Sequence, residues 1–355
     1  MNQPAAPFSC TFSPNLPELL EKLNCTICIS TYQAGKVIFI SPKNSEELVQ
    51  LPRTFEKAMG LAFKEDMVGI ATKNEVIVLK NSPELASNYP NQPNTYDSLF
   101  IPRATYYTGQ VDIHDLGWGT EGLWGVNTSF SCLCLIDHHH SFIPKWQPKC
   151  ISHLNSGDRC HLNGMAMSGG VPVYASSLGT GDSPQSWREN ITAGGAVHDV
   201  ASREVILNDA PMPHSPRIFD KQLYMLLSAT GEVVKVNVNN GSYDVVASLS
   251  GFVRGMDKIG DYLFVGLSKL RKNSSTFKDL PIAEKALKSG ISVVHLPTGA
   301  VVAELHYETS VDEIYDVQIL PGLKRPGILN TIKDVHKKSL SIPGRTFWAS
   351  EDGKE

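Results

Sequence analysis

The sequence predicts an all-β fold, a six-bladed β-propeller closed by N-terminal strands that complete the last blade, with one or two short helices. Three observations carry this. Short apolar runs are broken throughout by Gly, Asn-Gly, Thr-Gly and Pro, as in VIFIS at 37–41, VGIAT at 68–72, CLCLI at 132–136 and YLFVGL at 262–267. A local pattern recurs about every 51 residues. The two ends of the repeat array are each incomplete in a way that the other end fills.

The repeat has an anchor residue followed nine positions later by an apolar strand. His114 precedes Leu123, His214 precedes Leu223, Arg254 precedes Leu263 and Met59 precedes Val68 at this distance. Asn163 opens a looser copy and Tyr315 a partial one. The anchors are spaced 55, 49, 51, 40 and 61 residues apart, a period that fits one four-stranded blade. After YDVQIL at 315–320 no further clear strand follows. The missing strands stand at the N-terminus, in TICISTYQ, KVIFIS and ELVQLPR, and STYQAGKVIFI aligns with SATGEVVKVNV of the fourth repeat. Joining them removes two unpaired sheet edges. The chain thus divides into an N-terminal segment 1–24, a propeller 25–325 and a C-terminal tail 326–355. Helices are expected at LPELLEKL, with Ser13 as N-cap, and at PIAEKALK, 281–288.

Composition narrows the function. The 355 residues carry 32 basic and 36 acidic side chains, a net charge of −4, which argues against a nucleic-acid backbone as partner. No apolar stretch is long enough for a membrane helix. The start MNQPAAPFSC lacks the basic and apolar regions of a secretory signal, so a cytoplasmic location is expected. Seven cysteines, an odd number, do not suggest a disulfide framework, and Cys25-x-x-Cys28 reads as two thiols in a strand. P-loop, GxSxG, HExxH and GxGxxG motifs are all missing, so no nucleotide cofactor is expected.

The start of each innermost strand faces the mouth of the central channel. This register brings together His114, His161, Asn163, His214, Arg254 and Glu313, with Asp115 and Asp316 beside them. His161 and Asn163 are expected to share a strand face by alternation. Three imidazoles and a carboxylate suit a divalent metal such as zinc, iron or copper; a metal-free polar ligand site and plain filling of the channel stay open. As a metal-dependent enzyme, the chain would use His114, His161 and His214 as ligands. Glu313 would be a fourth ligand or a general base, Arg254 would hold an anionic group of the substrate, and Asn163 would ligate or donate a hydrogen bond. Glu313 could instead pair with Arg254. As a binding module, the same mouth would take a small-molecule or peptide ligand, and a scaffold for protein partners is a third reading. The long segment 176–195 is a candidate lid, with Trp187 and Arg188 as ligand contacts; the insertion 268–289 could cap the same end. His138, His139 and His140 are expected in an outer hairpin loop.

The strings STYQAGK, HDLGWG, DRCHLNGMA, MPHSPR, GFVRG, VGLSK and EIYDV together resemble an uncharacterised bacterial conserved-hypothetical family, a domain of unknown function. The resemblance spans roughly 25–325 and implies no activity. A more remote likeness, through the Asn163-Gly164 turn and Glu313, is to six-bladed gluconolactonase and strictosidine-synthase-like propellers. These hold a metal with Glu, Asn and Asp ligands. The His-rich rim here departs from that set.

Overall fold

The computed structural model describes residues 6–270, 277 and 279–349. Six antiparallel sheets stand around a channel, and their inner strands neighbour one another in a closed ring. From blade one to blade six these inner strands are Leu61–Lys64, Ile113–Trp118, Leu162–Ser168, Pro213–Phe219, Phe252–Ile259 and Asp316–Pro321. Blade six is composite. Its inner strand pairs with Cys25–Thr31, followed outward by Lys36–Pro42 and Leu48–Thr54. Ser30 faces Asp316 across this seam.

Apolar strand faces explain how the blades stack. Cys25–Thr31 is buried along its whole length, as a strand covered on both faces must be. Leu16 and Leu20 of the helix Leu16–Leu23 pack with Ile27, Ile29, Phe264 and Ile291 between blades five and six. Asn15, not Ser13, stands at the N-cap, without a side-chain bond; the Ser13 hydroxyl accepts from the Glu304 amide instead.

Polar staples join successive blades at the channel. The hydroxyls of Ser30, Thr128, Ser228 and Ser268 donate to the carbonyls of Met59, Leu162, Val253 and Ile314, on the next inner strand or two residues before it, at 2.5 to 3.1 Å. Three carboxylates do the same in the other sense. Asp115 accepts from its neighbour Leu116 and from Met165 of the next blade; Asp257 accepts from Lys258 and Ile319; Asp316 accepts from Val317 and Leu61.

Two expectations fail outside the ring. PIAEKALK, 281–288, is a chain of turns and not a helix. Two of its backbone groups are tied to other segments: Ile282 N–H donates to Ala229 O, and Ala286 O accepts from Leu270 N–H. Residues 326–349 are not a plain tail. Pro326–Ile328 adds a parallel strand to the outer edge of blade one, and Ser339–Ile342 pairs with Arg345–Trp348 in a hairpin. An outer strand, Cys10–Phe12, likewise extends blade five. Among the described residues no helix is long and apolar enough to cross a membrane.

Candidate functional site

The channel is blocked part-way by one side chain. Arg217, three residues after the blade-four anchor, reaches across to Asp115 of blade two with Nη1–Oδ2 at 2.8 Å and Nη2–Oδ1 at 3.0 Å. Its Nη2 also lies 3.7 Å from Asp316 Oδ1. Burial works against the guanidinium charge, but Asp115 and Asp316 outweigh it and raise the arginine pKa. Burial pushes the Asp316 carboxyl up to about 7, with Arg217 pulling back and Asp115 pushing further.

Above this plug lies a small cavity lined by His114, Asn163, His214, Arg254 and Tyr315, with Asp115, Ser215, Arg217 and Asp316 at its base. Its open space is about 10 Å³, room for about one water.

The two anchor histidines are held alike. Asp112 and Met212, each two residues earlier, have positive φ of 50° and 55°. This sparsely populated conformation turns each carbonyl onto the imidazole: Asp112 O and Met212 O accept from Nδ1 of His114 and His214, both at 3.1 Å. Burial, helped by the nearby Arg254 charge, pushes both pKa values well below 6.5. Each ring is therefore neutral, with its proton on Nδ1 and a lone pair on Nε2. Arg254 Nη2 stands 3.4 Å from His214 Nε2, and its Nη1 donates to Glu313 at 3.2 Å. The guanidinium carbon lies 4.6 Å from the centre of the Tyr315 ring.

His161 does not share a strand face with Asn163. It precedes the strand with φ of 51°, and this left-handed residue breaks the alternation. Its Nδ1 meets Asp158 Oδ1 at 2.8 Å, and its ring lies 5.0 Å from that of His114. The Asn163 amide bridges blades, donating to Pro213 O and accepting from Ser176 Oγ. Trp187 is buried, donates to Asp158 and packs 4.4 Å from His161; Arg188 lies 4.2 Å from the Trp187 ring, on an exposed turn. Thus His114, His214, Arg254 and Asn163 line the cavity, whereas His161, Glu313, Trp187 and Arg188 stand one layer out. Leu280, Ile282 and Ala286 pack with Trp187, Met212 and Phe252, so described parts of the two long insertions meet at this end. His138, His139 and His140 lie between the outer strands of blade two.

A guanidinium faces His214 Nε2, and His161 Nδ1 is held by Asp158. Among the described residues no group of three His, Cys, Asp or Glu side chains is placed to hold a metal ion. The anchor spacing gives no sign of Asp158 or of the plug Arg217, whereas Tyr315, the blade-six anchor, lies at the mouth with the anchors His114, Asn163, His214 and Arg254. A signal for the staples was present: Thr128, Ser228 and Ser268 each lie 14 residues after an anchor.

A family model described as a domain of unknown function (DUF4915) matches residues 14–329. The chain belongs to the DUF4915 family. No curated protein matches it. Among solved structures, this DUF4915 chain is similar to a chain of a nidogen/laminin complex, at 9% identity and a TM-score of 0.48, over 84% of this chain and 99% of that one. It is also similar to the Neurospora crassa Pan2 WD40 domain, at 12% identity and a TM-score of 0.41, over 69% and 64%.

Buried neutral histidines give an acid-sensitive fold. In blade three, burial lowers the His198 pKa to about 4 from an ordinary 6.5. Its contribution to stability is complete above pH 6.5 and is lost as pH falls toward 4, because the unfolded chain takes the proton first; the full loss is about 3 kcal/mol. Thermal midpoints at pH 7.5, 5.5 and 4.5 should fall in that order, and His198→Gln should flatten the decline.

Proposed function

We propose that the channel mouth binds a small carboxylate that also carries a hydroxyl group. The observation that carries this is a pair of buried donors: Tyr315 Oη and Arg254 Nε have no hydrogen-bond partner among the described residues. Buried polar atoms of this kind are costly unless a water or ligand satisfies them. Arg254 holds Glu313 through Nη1 and keeps Nε for a carboxylate oxygen, and the Nε2 lone pair of His114 accepts from a hydroxyl, that of His214 already facing Arg254 Nη2. The cavity holds about one water in this conformation, so ligand entry requires the covering segments 178–194 and 280–286 to shift. Reaction chemistry is not needed for this reading; binding alone accounts for the residues.

The test is calorimetric titration with acetate, lactate and glycerate at constant ionic strength, with glycerol as the uncharged control. Lactate or glycerate should bind saturably and more tightly than acetate, and glycerol should not bind. Arg254→Gln should weaken binding by about tenfold or more. Tyr315→Phe removes a hydroxyl that has no internal partner, so it should fold normally and also lose affinity. Absence of carboxylate binding, unchanged affinity in both variants, or stoichiometric zinc, iron or copper in the purified untagged protein would overturn the proposal.

A further inference from the structure

A second cavity, of about 310 Å³, lies on the outside of the ring at the closure seam. That volume is at the low end of the range for small-molecule sites, roughly 300–1,000 Å³. Three sequence-distant pieces build it: the outer strand Leu48–Thr54 of blade six, residues 89–92, and the segment 329–335. Asn330 Nδ2 donates to Thr54 O at 3.1 Å and ties the last piece to the first. Trp348 of the C-terminal hairpin packs 5.7 Å from Tyr89 and holds the second.

The charge on its walls has one sign. Arg53 and Lys333 line the cavity, and no Asp or Glu does. Lys36 donates to the hydroxyl of Thr54, a lining residue, at 2.5 Å. None of the three cations forms an ion pair among the described residues. The acid next in sequence, Asp334, pairs instead with Lys337 at 2.7 Å. Two wall cations, with Lys36 beside the lining residue Thr54, have no carboxylate paired with them among the described residues, and a bound anion supplies the counter-charge. The remaining wall is of another kind: the buried Tyr89 ring, and the amides of Asn91 and Asn330.

We infer that this seam cavity is a binding site for a small phosphate monoester, independent of the channel mouth. A monoester carries about −1.5 to −2 charges near neutral pH, which matches the two wall cations better than the single charge of a carboxylate. Arg53 provides a planar fork for two phosphate oxygens, and Lys333 adds a point charge, with Lys36 behind Thr54. Tyr89 and the amides face the organic part. Because the ligand touches both blade six and the C-terminal segment, binding also fastens that segment across the seam.

Titration with glycerol 3-phosphate, inorganic phosphate and glycerol at fixed ionic strength tests the site. Glycerol 3-phosphate should bind saturably, more tightly than inorganic phosphate, with no response to glycerol. The Arg53→Gln/Lys333→Gln double variant changes two surface-facing cations and should fold normally while binding at least about tenfold more weakly. Arg254→Gln should bind glycerol 3-phosphate as the wild type does, which separates this site from the channel mouth. No saturable phosphate binding, or equal affinity in the double variant, would overturn the inference; so would loss of phosphate binding in Arg254→Gln.

Discussion

Arg217→Met should lower the thermal midpoint by about 5–10 °C. The guanidinium is the only cation placed against both Asp115 and Asp316 among the described ion pairs. Removing it leaves two buried carboxylates at the centre of the ring, one of them already pushed up to about 7. Breaking a buried pair in this way typically costs about 3–5 kcal/mol, because the surviving charge has lost its partner and cannot reach water. The double variant Arg217→Met/Asp115→Asn should be more stable than the sum of the single losses implies, with a coupling of about 1–3 kcal/mol. Chemical denaturation of the four proteins at pH 7.5 measures this. Additive losses would show that Arg217 fills the channel as bulk and not as a counter-charge.

Gly255→Ala should be more damaging still, by about 4 kcal/mol or more. A Cβ at this position would stand 2.5 Å from Asp316 Cα and 2.6 Å from Val317 N, backbone atoms of the neighbouring inner strand. The residue also has φ of +73°, which L side chains rarely adopt. Neither strand can retreat without opening the boundary between blades five and six. Gly109→Ala separates the two causes. It has a similar φ of +75° with nothing within 4 Å of the added carbon, so it should cost only about 1–2 kcal/mol. Denaturation midpoints of the two variants give the difference directly, and equal losses would refute the close-approach account.

The blade period was readable because every blade repeats the same burial problem. An inner strand starts at the channel, and an apolar strand returns beside it, so anchors such as His114 and His214 recur in register. The composite blade was readable for the same reason, since STYQAGKVIFI carries the pattern that YDVQIL lacks. PIAEKALK has a helical spacing because Ile282 and Ala286 turn inward onto Trp187 and Phe252, but Leu287 is exposed and the Ile282 N–H and Ala286 O are tied to other segments, so only isolated turns form. The hairpin Ser339–Trp348 escaped notice because its strands are mostly exposed and show no buried face. At the site, residue types were legible but hydrogen-bond states were not. The left-handed turns at Asp112 and Met212 fix the imidazole tautomers, and the tie between Asp158, His161 and Trp187 depends on a loop conformation that spacing cannot reveal. The seam cavity draws on residues near 53, 90 and 330, which are neighbours only after the ring closes.

The composite blade has a consequence for synthesis. Ser30 and Asp316, hydrogen-bonded neighbours in the finished ring, are 286 residues apart in the chain. At about 5–20 residues per second, the strand Cys25–Thr31 leaves the ribosome on the order of 15–60 s before its partner exists. During that interval its inner edge, on a strand that the finished ring buries along its whole length, has nothing to pair with. The nascent chain is then most exposed to aggregation and to chaperone capture, and an arrest placed just before residue 316 would hold it there.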